Sequence, residues 1–341
     1  MATLHFSSCE TKTSQISRSN LLRDRLRGTF YGTATGDALG GPRQFCERDE
    51  MPLLTEMKPI SNFRMPAGSW SDDTSMMLCL AESLTKSGYD FHEHSVEGNT
   101  FFPYEYGKIM TQDLADQLNY YLKWFKEGYN TPTGKAFDIG GTTKRALLAY
   151  SATGQIIANT SDEMFQGNGS IMRLAPIAMM FYYDEERAGS EAMISSQTTH
   201  TNIVCLQACY LLAKAIVRAI QGRSKEDILG AVLQEGFCNE LESITSGKYQ
   251  KKTRDQIESH GWVVATLEAV LWCFYKTTTF EDGLILAVNL AHDADTVGSV
   301  FGALAGAYYG FGNIPDRWIV DLKGKEILET IYLKLEERVT A

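Results

Sequence analysis

The chain has 341 residues, of which 44% are hydrophobic and 22% are charged, so it has ample material for a globular core of one large domain or two. Its net charge of −10 and its lack of a basic run argue against a nucleic-acid backbone as the main partner. The seven cysteines fit neither a CxxC zinc pattern nor a small disulfide framework, so we expect reduced thiols in a cytoplasmic protein.

The first twenty residues are predicted to form a flexible N-terminal extension. They contain eight Ser or Thr residues and show no helical periodicity. No apolar segment of the kind found in secretory signals follows them. Residues 21–341 contain no obvious linker, and we expect them to form a single compact domain.

Helical periodicity dominates the chain from Leu21 onward, whereas two-residue alternation is nearly absent. In chain order, the predicted helices cover residues 76–84, 114–125, 143–150, 171–181, 203–220, 261–274, 284–291, 296–309 and 327–335. We therefore predict an all-α fold. The longest apolar stretch, 297–312, is shorter than the ~20 residues that cross a bilayer, so we expect no transmembrane helix and no membrane partner.

Glycines recur every four residues in two separate segments. They are Gly28, Gly32, Gly36 and Gly40 in the first segment, and Gly298, Gly302, Gly306 and Gly310 in the second. On a helix the second series forms a smooth ridge against which another helix backbone packs closely. Asp37 interrupts the first series, which lacks the spacing of a dinucleotide-binding loop. A buried structural hydrogen bond and a direct catalytic role both remain open for Asp37.

Two acidic clusters lie far apart in the sequence, and each precedes an apolar run. They are the SDDT segment 71–74 and the DADT segment 293–296. Such residues are common helix caps, which is the structural alternative for each cluster. On a regular helix Asp293 and Asp295 would diverge by roughly 200°, so they converge only in the turn before a helix. Each cluster has two Asp where one cap would suffice, and we predict a shared site for Mg²⁺, Mn²⁺ or Ca²⁺.

Two further segments have features of a binding cleft. The GNGS segment 167–170 forms a tight polar turn before an apolar run, and its backbone N–H groups are suited to an anion such as phosphate. A plain turn is the alternative. His200 precedes the predicted helix 203–220, with Thr201 or Asn202 as its cap. A lone His at such a position is more often a satisfied structural group than a catalyst.

Taken together, these segments resemble the ADP-ribosylglycohydrolase family, which includes dinitrogenase reductase-activating glycohydrolase and the ADP-ribosylarginine hydrolases. The motifs occur in family order as GDALG (36–40), WSDDT (70–74), FDIGGTT (137–143), GNGSIMRLAP (167–176), TTH (198–200) and DADT (293–296). The resemblance implies a compact, orthogonal multi-helix bundle. It also implies two Mg²⁺ ions, or Mn²⁺ in some members, in a central cleft.

The resemblance assigns roles to individual positions. The implied metal ligands are Ser71, Asp72, Asp73, Asp293, Asp295 and Thr296. The implied contacts with ADP-ribose are Gly167, Asn168, Gly169, Ser170 and His200. Asp138 is implied to be an acid near the leaving group.

The expected function is metal-dependent hydrolysis that removes ADP-ribose from arginine side chains of proteins. Cleavage of the bond from ribose C1 to a guanidinium develops oxocarbenium character and needs a water that is nucleophilic at neutral pH. We expect a ligating Asp to take the proton of this water, with Asp73 as the first candidate and Asp72 and Asp295 next.

One departure from the family pattern bears on the substrate. Serine-directed members carry a Glu where this chain has Gln44, and an amide does not exchange a proton as a carboxyl does. The sequence therefore favours the arginine linkage unless Glu47 takes over that role. The alternatives are hydrolysis of serine-linked, O-acetyl or poly-ADP-ribose, and a non-catalytic protein that binds and blocks a toxin.

Two segments are candidates for partner contacts or a lid. They are the N-terminal extension and the segment 97–110, which is longer than is typical of the family. Some bacterial relatives serve as immunity proteins against ADP-ribosyltransferase toxins. By analogy, we expect the extension to block such a toxin.

Overall fold

The computed structural model describes the backbone of residues 8–86 and 110–341 and the side chains of 19–86 and 113–341. Within these ranges the α-helices are α1 (Ser8–Gly40), α2 (Asp72–Thr85), α3 (Met110–Glu127), α4 (Gly141–Thr153), α5 (Ala175–Met180), α6 (Glu185–Ser196), α7 (Ile203–Ile220), α8 (Lys225–Gly230), α9 (Glu242–Thr245), α10 (Val263–Lys276), α11 (Phe280–Val288), α12 (Ala294–Tyr309), α13 (Asp316–Asp321) and α14 (Lys325–Thr340). The described residues contain no strand, only two isolated bridges. The predicted all-α fold is confirmed.

Helices α1 and α12 form the central antiparallel pair, and their glycines face each other along the contact. A Cβ atom on any of these glycines would lie closer to the opposite backbone than the 3.0 Å that real Cβ atoms keep. The two backbones can touch only because no side chain stands between them. The facing pairs are Gly28–Gly306, Gly32–Gly302, Gly36–Gly298 and Gly40–Ala294. We call this contact the glycine seam.

Gly310 has a different role from the one that its spacing suggested. It ends α12 as the C-cap residue, with φ 83° and ψ 163°, a conformation that favours glycine. A Cβ at this position would clash with the Asp24 carboxylate. The fourth position of the α12 face is therefore Ala294, at the opposite end of the helix.

The other helices surround this pair. Helix α12 also packs against α7, α10 and α11, whereas α2 packs against α3 and α14. One hydrophobic cluster includes residues from Leu26 to Leu335. Helix α7 is long and apolar enough to span a membrane by length and composition, but 78% of that stretch is buried inside the fold. This burial is the pattern of a core helix.

Some elements differ from the sequence-based prediction. Helix α5 begins at Ala175 rather than at residue 171, because residues 168–173 form turns in which Asn168 O accepts hydrogen bonds from Ile171 N and Met172 N. Pro176 lies in the first turn of α5, where a missing N–H costs nothing. Helices α1, α6, α8, α9 and α13 were not among the predicted helices.

The N-terminal boundary also differs. Helix α1 begins at Ser8, so residues 8–20 of the predicted flexible extension are helical. Adding turns to an existing helix is much less costly than nucleating one, and the buried part of α1 supplies that nucleus. Residues 1–7 and 87–109 lie outside the described residues, and with them lies nearly all of the candidate lid segment 97–110.

The glycine seam leads to a prediction about stability. Gly302→Ala should lower the free energy of unfolding by about 1–3 kcal/mol, because the new methyl group forces α1 and α12 apart. The loss should appear although Ala has the higher helix propensity. Urea unfolding followed by circular dichroism measures the effect.

Gly230→Ala is the matched control. Gly230 is also helical, but a Cβ there meets only Arg218 Nη1 at 3.8 Å. Its stability should stay within about 0.5 kcal/mol of wild type. Equal stability of the two variants would contradict the role given to the seam.

Candidate active site

Three carboxylates from three helices meet at one end of the glycine seam. Asp37 in α1, Asp73 in α2 and Asp295 in α12 each place one oxygen within 4.8 Å of the others. All three are buried, with exposed fractions of 0–1%. Because Gly40 contacts Ala294 across the seam, the packing of α1 on α12 sets the separation of Asp37 and Asp295. We call Asp37, Asp73 and Asp295 the acidic triad.

Asp37 caps helix α2 from outside. Its carboxylate accepts hydrogen bonds from Ser71 N at 2.9 Å, from Thr74 N at 3.0 Å and from Thr74 Oγ1 at 2.6 Å. The structural hydrogen bond that the sequence left open for Asp37 is therefore present. Neither Ser71 nor Asp293, the N-cap residues of α2 and α12, caps its own helix with its side chain. Local capping therefore does not account for the acidic residues at the two helix starts.

The acidic triad carries a large electrostatic cost. Burial raises the pKa of Asp37 to about 6 and the pKa values of Asp73 and Asp295 well above the ordinary value. Neighbouring carboxylates add to the shift, Asp37 for Asp73 and Asp293 for Asp295. Like charges at such distances in a poorly solvated site require protons or cations to compensate them.

The donor set fits a hard divalent cation. Asp73 Oδ1 and Asp295 Oδ2 are buried and accept no hydrogen bond from the residues that the structure describes. Two hydroxyl groups lie beside the other oxygen of Asp73, since Ser71 Oγ is 3.1 Å and Thr296 Oγ1 is 3.4 Å from Asp73 Oδ2. The donors are carboxylate and hydroxyl oxygens, without sulfur or imidazole. Oxygen donors of this kind suit Mg²⁺, Mn²⁺ or Ca²⁺ better than zinc.

A cleft of about 660 Å³ opens above the acidic triad. Its floor is formed by Asp72, Asp293 and Thr296, and the segments 138–143 and 167–169 form its walls. The remaining lining residues are Gln44, Phe45, Met172, His200, His260, Gly261 and His292. The cleft therefore has the carboxylates of Asp72 and Asp293 at its base, and Asp138 is the one carboxylate that the described residues place along its sides.

The structure brings most of the residues singled out in the sequence to this cleft. Those that line it are Asp72, Asp138, Gly167, Asn168, Gly169, His200, Asp293 and Thr296. Ser71, Asp73 and Asp295 are buried and are not among the lining residues. Ser170 is separate from this group. Its hydroxyl accepts a hydrogen bond from Ser196 Oγ at 2.8 Å and lies 3.4 Å from Cys209 Sγ, so it ties the turn to α6 and α7.

Asn168 connects the polar turn to the acidic floor. Its side-chain amide donates to Asp293 Oδ2 at 2.6 Å and to Thr266 Oγ1 at 2.8 Å. Its backbone N–H donates to Gly261 O at 3.1 Å. The turn 167–170 is thereby fixed relative to the start of α12, on which Asp293 and Asp295 lie.

Asp138 and Gln44 form a pair on the cleft wall. The Gln44 side-chain amide donates a hydrogen bond to Asp138 Oδ2, and Gln44 Oε1 is buried without a partner among the described residues. Burial raises the pKa of Asp138 to about 6.

Glu47 is outside the cleft. It lines a smaller hollow beside Arg254, and its side chain is 72% exposed. Its position does not support Glu47 as a substitute for a carboxyl at Gln44.

Sequence reasoning did not identify Phe45, His260 or His292 as cleft residues. Phe45 and His292 have positive φ values of 64° and 58°, and Phe45 N donates to His292 O at 2.7 Å. This pairing joins segments almost 250 residues apart, and a bulky residue such as Phe45 does not signal a left-handed backbone.

Similar proteins point to one family. The sequence profile of the ADP-ribosylglycohydrolase family matches residues 18–341. The chain is 34% identical to "ADP-ribosylarginine hydrolase Tri1" of Pseudomonas putida (strain GB-1), over 92% of this chain and 78% of the relative. It is 32% identical to the protein of the same name from Serratia proteamaculans (strain 568), over 92% and 79% of the two chains.

A solved structure supports the same assignment. It is described as an "ADP-ribosylglycohydrolase-related protein complex" and matches with a TM-score of 0.77 and 36% sequence identity. The match covers 94% of this chain and 99% of the solved one. With this agreement in sequence and in fold, the chain belongs to the ADP-ribosylglycohydrolase family.

Proposed function

We propose that the protein is a metal-dependent hydrolase that removes ADP-ribose from ADP-ribosylated arginine side chains of proteins. The observation that carries this proposal is the buried acidic triad, with two unpartnered carboxylate oxygens, beneath a 660 Å³ cleft. Two relatives that are 32–34% identical to the chain are named ADP-ribosylarginine hydrolases, which supports the choice of linkage.

The metal-binding residues in this proposal are those at the starts of α2 and α12. They are Ser71, Asp72, Asp73, Asp293, Asp295 and Thr296, and the ions are two Mg²⁺ or Mn²⁺. When bound, such ions orient hydroxyl groups of a substrate and lower the pKa of a water. Asp37 contributes by holding the first turn of α2 in place through its hydrogen bonds to Ser71 and Thr74.

The side chains of the cleft suit cleavage of the bond between ribose C1 and the guanidinium nitrogen. Positive charge develops on the ribose as this bond breaks, and the carboxylates at the cleft floor stabilise it. Asp73 is our candidate for the base that takes a proton from the attacking water. The Asp138 carboxyl has a pKa of about 6, so it is able to hold or release a proton near neutral pH beside the leaving guanidine.

A second part of the cleft wall suits the rest of the substrate. The turn 167–169 and His200 line it, and neither carries a negative charge. Burial and the nearby Arg173 lower the pKa of His200 to about 3, so its ring is neutral at physiological pH. Neutral N–H donors bind phosphate oxygens without the cost of burying a second charge.

The metal site leads to a prediction about the melting temperature of Asp295→Asn, which should change in opposite directions in chelator and in excess metal. In chelator, Asp295→Asn should raise the melting temperature, because the raised pKa of Asp295 means that its charge costs stability at neutral pH. In excess Mg²⁺ or Mn²⁺ wild type should have the higher melting temperature, because metal binding stabilises wild type more than the variant. Thermal unfolding in both buffers measures this change.

The rate of hydrolysis by Asp295→Asn should fall by more than about 100-fold. Mutation of a residue that only hydrogen-bonds to a metal ligand costs up to about 100-fold, and loss of a ligand should cost more. Asp255→Asn, which changes an exposed carboxylate away from the cleft, is the matched control and should behave as wild type in every buffer. Wild-type activity of Asp295→Asn in chelator would overturn the metal site.

A separate prediction concerns the linkage. Release of ADP-ribose from arginine-linked peptides should exceed release from serine-linked peptides by at least about tenfold, because Gln44 has no proton to give a serine alkoxide. Gln44→Glu should lower the ratio of arginine-linked to serine-linked release. Initial rates on the two peptides, measured by chromatography of free ADP-ribose, give the comparison.

Glu47→Gln is the control for the linkage experiment. Glu47 lies outside the cleft, so this variant should leave the ratio unchanged. A wild-type preference for serine-linked peptides would show that the linkage has been misassigned. A change of the ratio in Glu47→Gln would show that the exposed carboxylate reaches the cleft.

A further inference from the structure

Arg173 is fully buried directly behind the polar turn 167–170, with an exposed fraction of 0%. Its Nη1 donates to Gly169 O at 3.2 Å. Its Nη2 donates to Thr198 Oγ1 and to Thr199 Oγ1, both at 2.9 Å. One side chain therefore holds two segments that border the cleft, the turn at 167–170 and the TTH segment at 198–200.

This guanidinium has no carboxylate partner among the described residues. None of the ion pairs found there includes Arg173. Its other neighbours are the Ser195 carbonyl oxygen, 3.5 Å from Nη2, and the ring of Tyr121, 4.6 Å from its Cζ atom. An unpaired charge in a protein interior costs several kcal/mol. Stability alone therefore does not explain a charged residue here, since an apolar side chain would avoid that cost.

The hydrogen bonds of Arg173 have a fixed direction. A guanidinium only donates, so Thr199 Oγ1 accepts from it and keeps its own hydrogen for another acceptor. The acceptor within its reach is His200 Nδ1, which lies 2.8 Å from Thr199 Oγ1. When the hydroxyl donates to this nitrogen, Nδ1 is the unprotonated nitrogen of the neutral ring and the proton lies on Nε2.

The free nitrogen of His200 is on the cleft side. A Cβ on Gly167 would lie 3.4 Å from His200 Nε2, and both residues line the cleft. None of the hydrogen bonds within the described part of the chain uses this nitrogen. The Gly169 carbonyl oxygen, in contrast, faces the buried guanidinium and is kept away from the cleft. His200 Nε2 therefore faces the cleft as a hydrogen-bond donor, whereas the Gly169 carbonyl oxygen, an acceptor, faces away from it.

We propose that Arg173 and Thr199 are positioning residues that fix His200 as an Nε2–H donor, which binds a phosphate oxygen of the ADP-ribose diphosphate together with the turn 167–169. This inference rests on the proposed function, because it takes ADP-ribose as the ligand. It goes beyond that function by assigning roles to two residues that do not line the cleft.

The tautomer is tested directly by NMR of ¹⁵N-labelled histidine side chains, with the His200 signals assigned by their loss in His200→Gln. Wild type should show a protonated Nε2 and an unprotonated Nδ1 at neutral pH. In Thr199→Val the Nδ1 signal should move, because the hydroxyl that donates to it is gone, whereas Thr199→Ser should restore the wild-type position. A proton on Nδ1 in wild type would overturn the proposal.

The consequence for binding is tested by calorimetry with two ligands, ADP-ribose and adenosine, in the presence of Mg²⁺. Thr199→Val should weaken ADP-ribose binding by at least about tenfold, which corresponds to ~1.4 kcal/mol. Thr199→Ser should stay within about twofold of wild type. Adenosine has no phosphate, so its affinity should be the same in all variants. Equal losses for the two ligands would indicate a purely structural role and overturn the proposal.

A double-mutant cycle separates an effect through His200 from a general one. In the His200→Gln background, Thr199→Val should cause no further loss of ADP-ribose affinity, whereas additive losses would contradict the proposed connection. Arg173→Lys, which keeps the charge but loses the planar fork, should also weaken ADP-ribose selectively. If wild type does not bind ADP-ribose at all, the proposed function fails as well. If it binds but the cycle is additive, only the present inference fails.

Discussion

The contact between the glycine faces of α1 and α12 is the constraint on which the site depends. Gly36 and Gly40 let the two backbones touch, and this contact brings Asp37 to the level of Asp295. Because Asp37 holds the first turn of α2, the same contact sets the distance between Asp73 and Asp295. Protein ligands of a metal need distances accurate to about 0.2 Å. A side chain in the seam would separate the helices by more than this tolerance. The repeated glycines are therefore a requirement of the site as much as of the core.

The close packing of the acidic triad destabilises the fold electrostatically, and Asp37 reduces that destabilisation. Three buried carboxylates repel one another, and burial keeps their pKa values above the ordinary value. Asp37 offsets part of this cost because its charge satisfies N–H groups at the start of α2. Asp73 Oδ1 and Asp295 Oδ2 have no such partner among the described residues. Their arrangement suits a site that receives cations, since a cation would both contact those two oxygens and offset the repulsion between the carboxylates.

Much of this architecture could be predicted from the sequence. The helical class followed from periodicity, and the two acidic clusters were recognisable because each held more carboxylates than a helix cap needs. What the sequence could not reveal were relations between distant segments. The left-handed backbone at Phe45 and His292 depends on a hydrogen bond between two loops, and the inward side chain of Ser170 depends on α6 and α7. Polar helices such as α6 (Glu185–Ser196) also have too few apolar positions to stand out.

The cleft is electrically asymmetric, and the asymmetry matches the proposed substrate. ADP-ribosylated arginine carries a cationic guanidinium at one end and an anionic diphosphate along its length. The floor and the Asp138 wall are acidic, whereas the wall at 167–169 is uncharged and backed by the buried guanidinium of Arg173. In a protein with a net charge of −10, an anionic ligand needs local compensation. A positive charge at the surface of this wall would pair with the nearby carboxylates, since Asn168 already contacts Asp293. In the proposed complex, a charge placed behind the turn would favour the diphosphate through Gly169 and His200 without pairing with the carboxylates of the cleft.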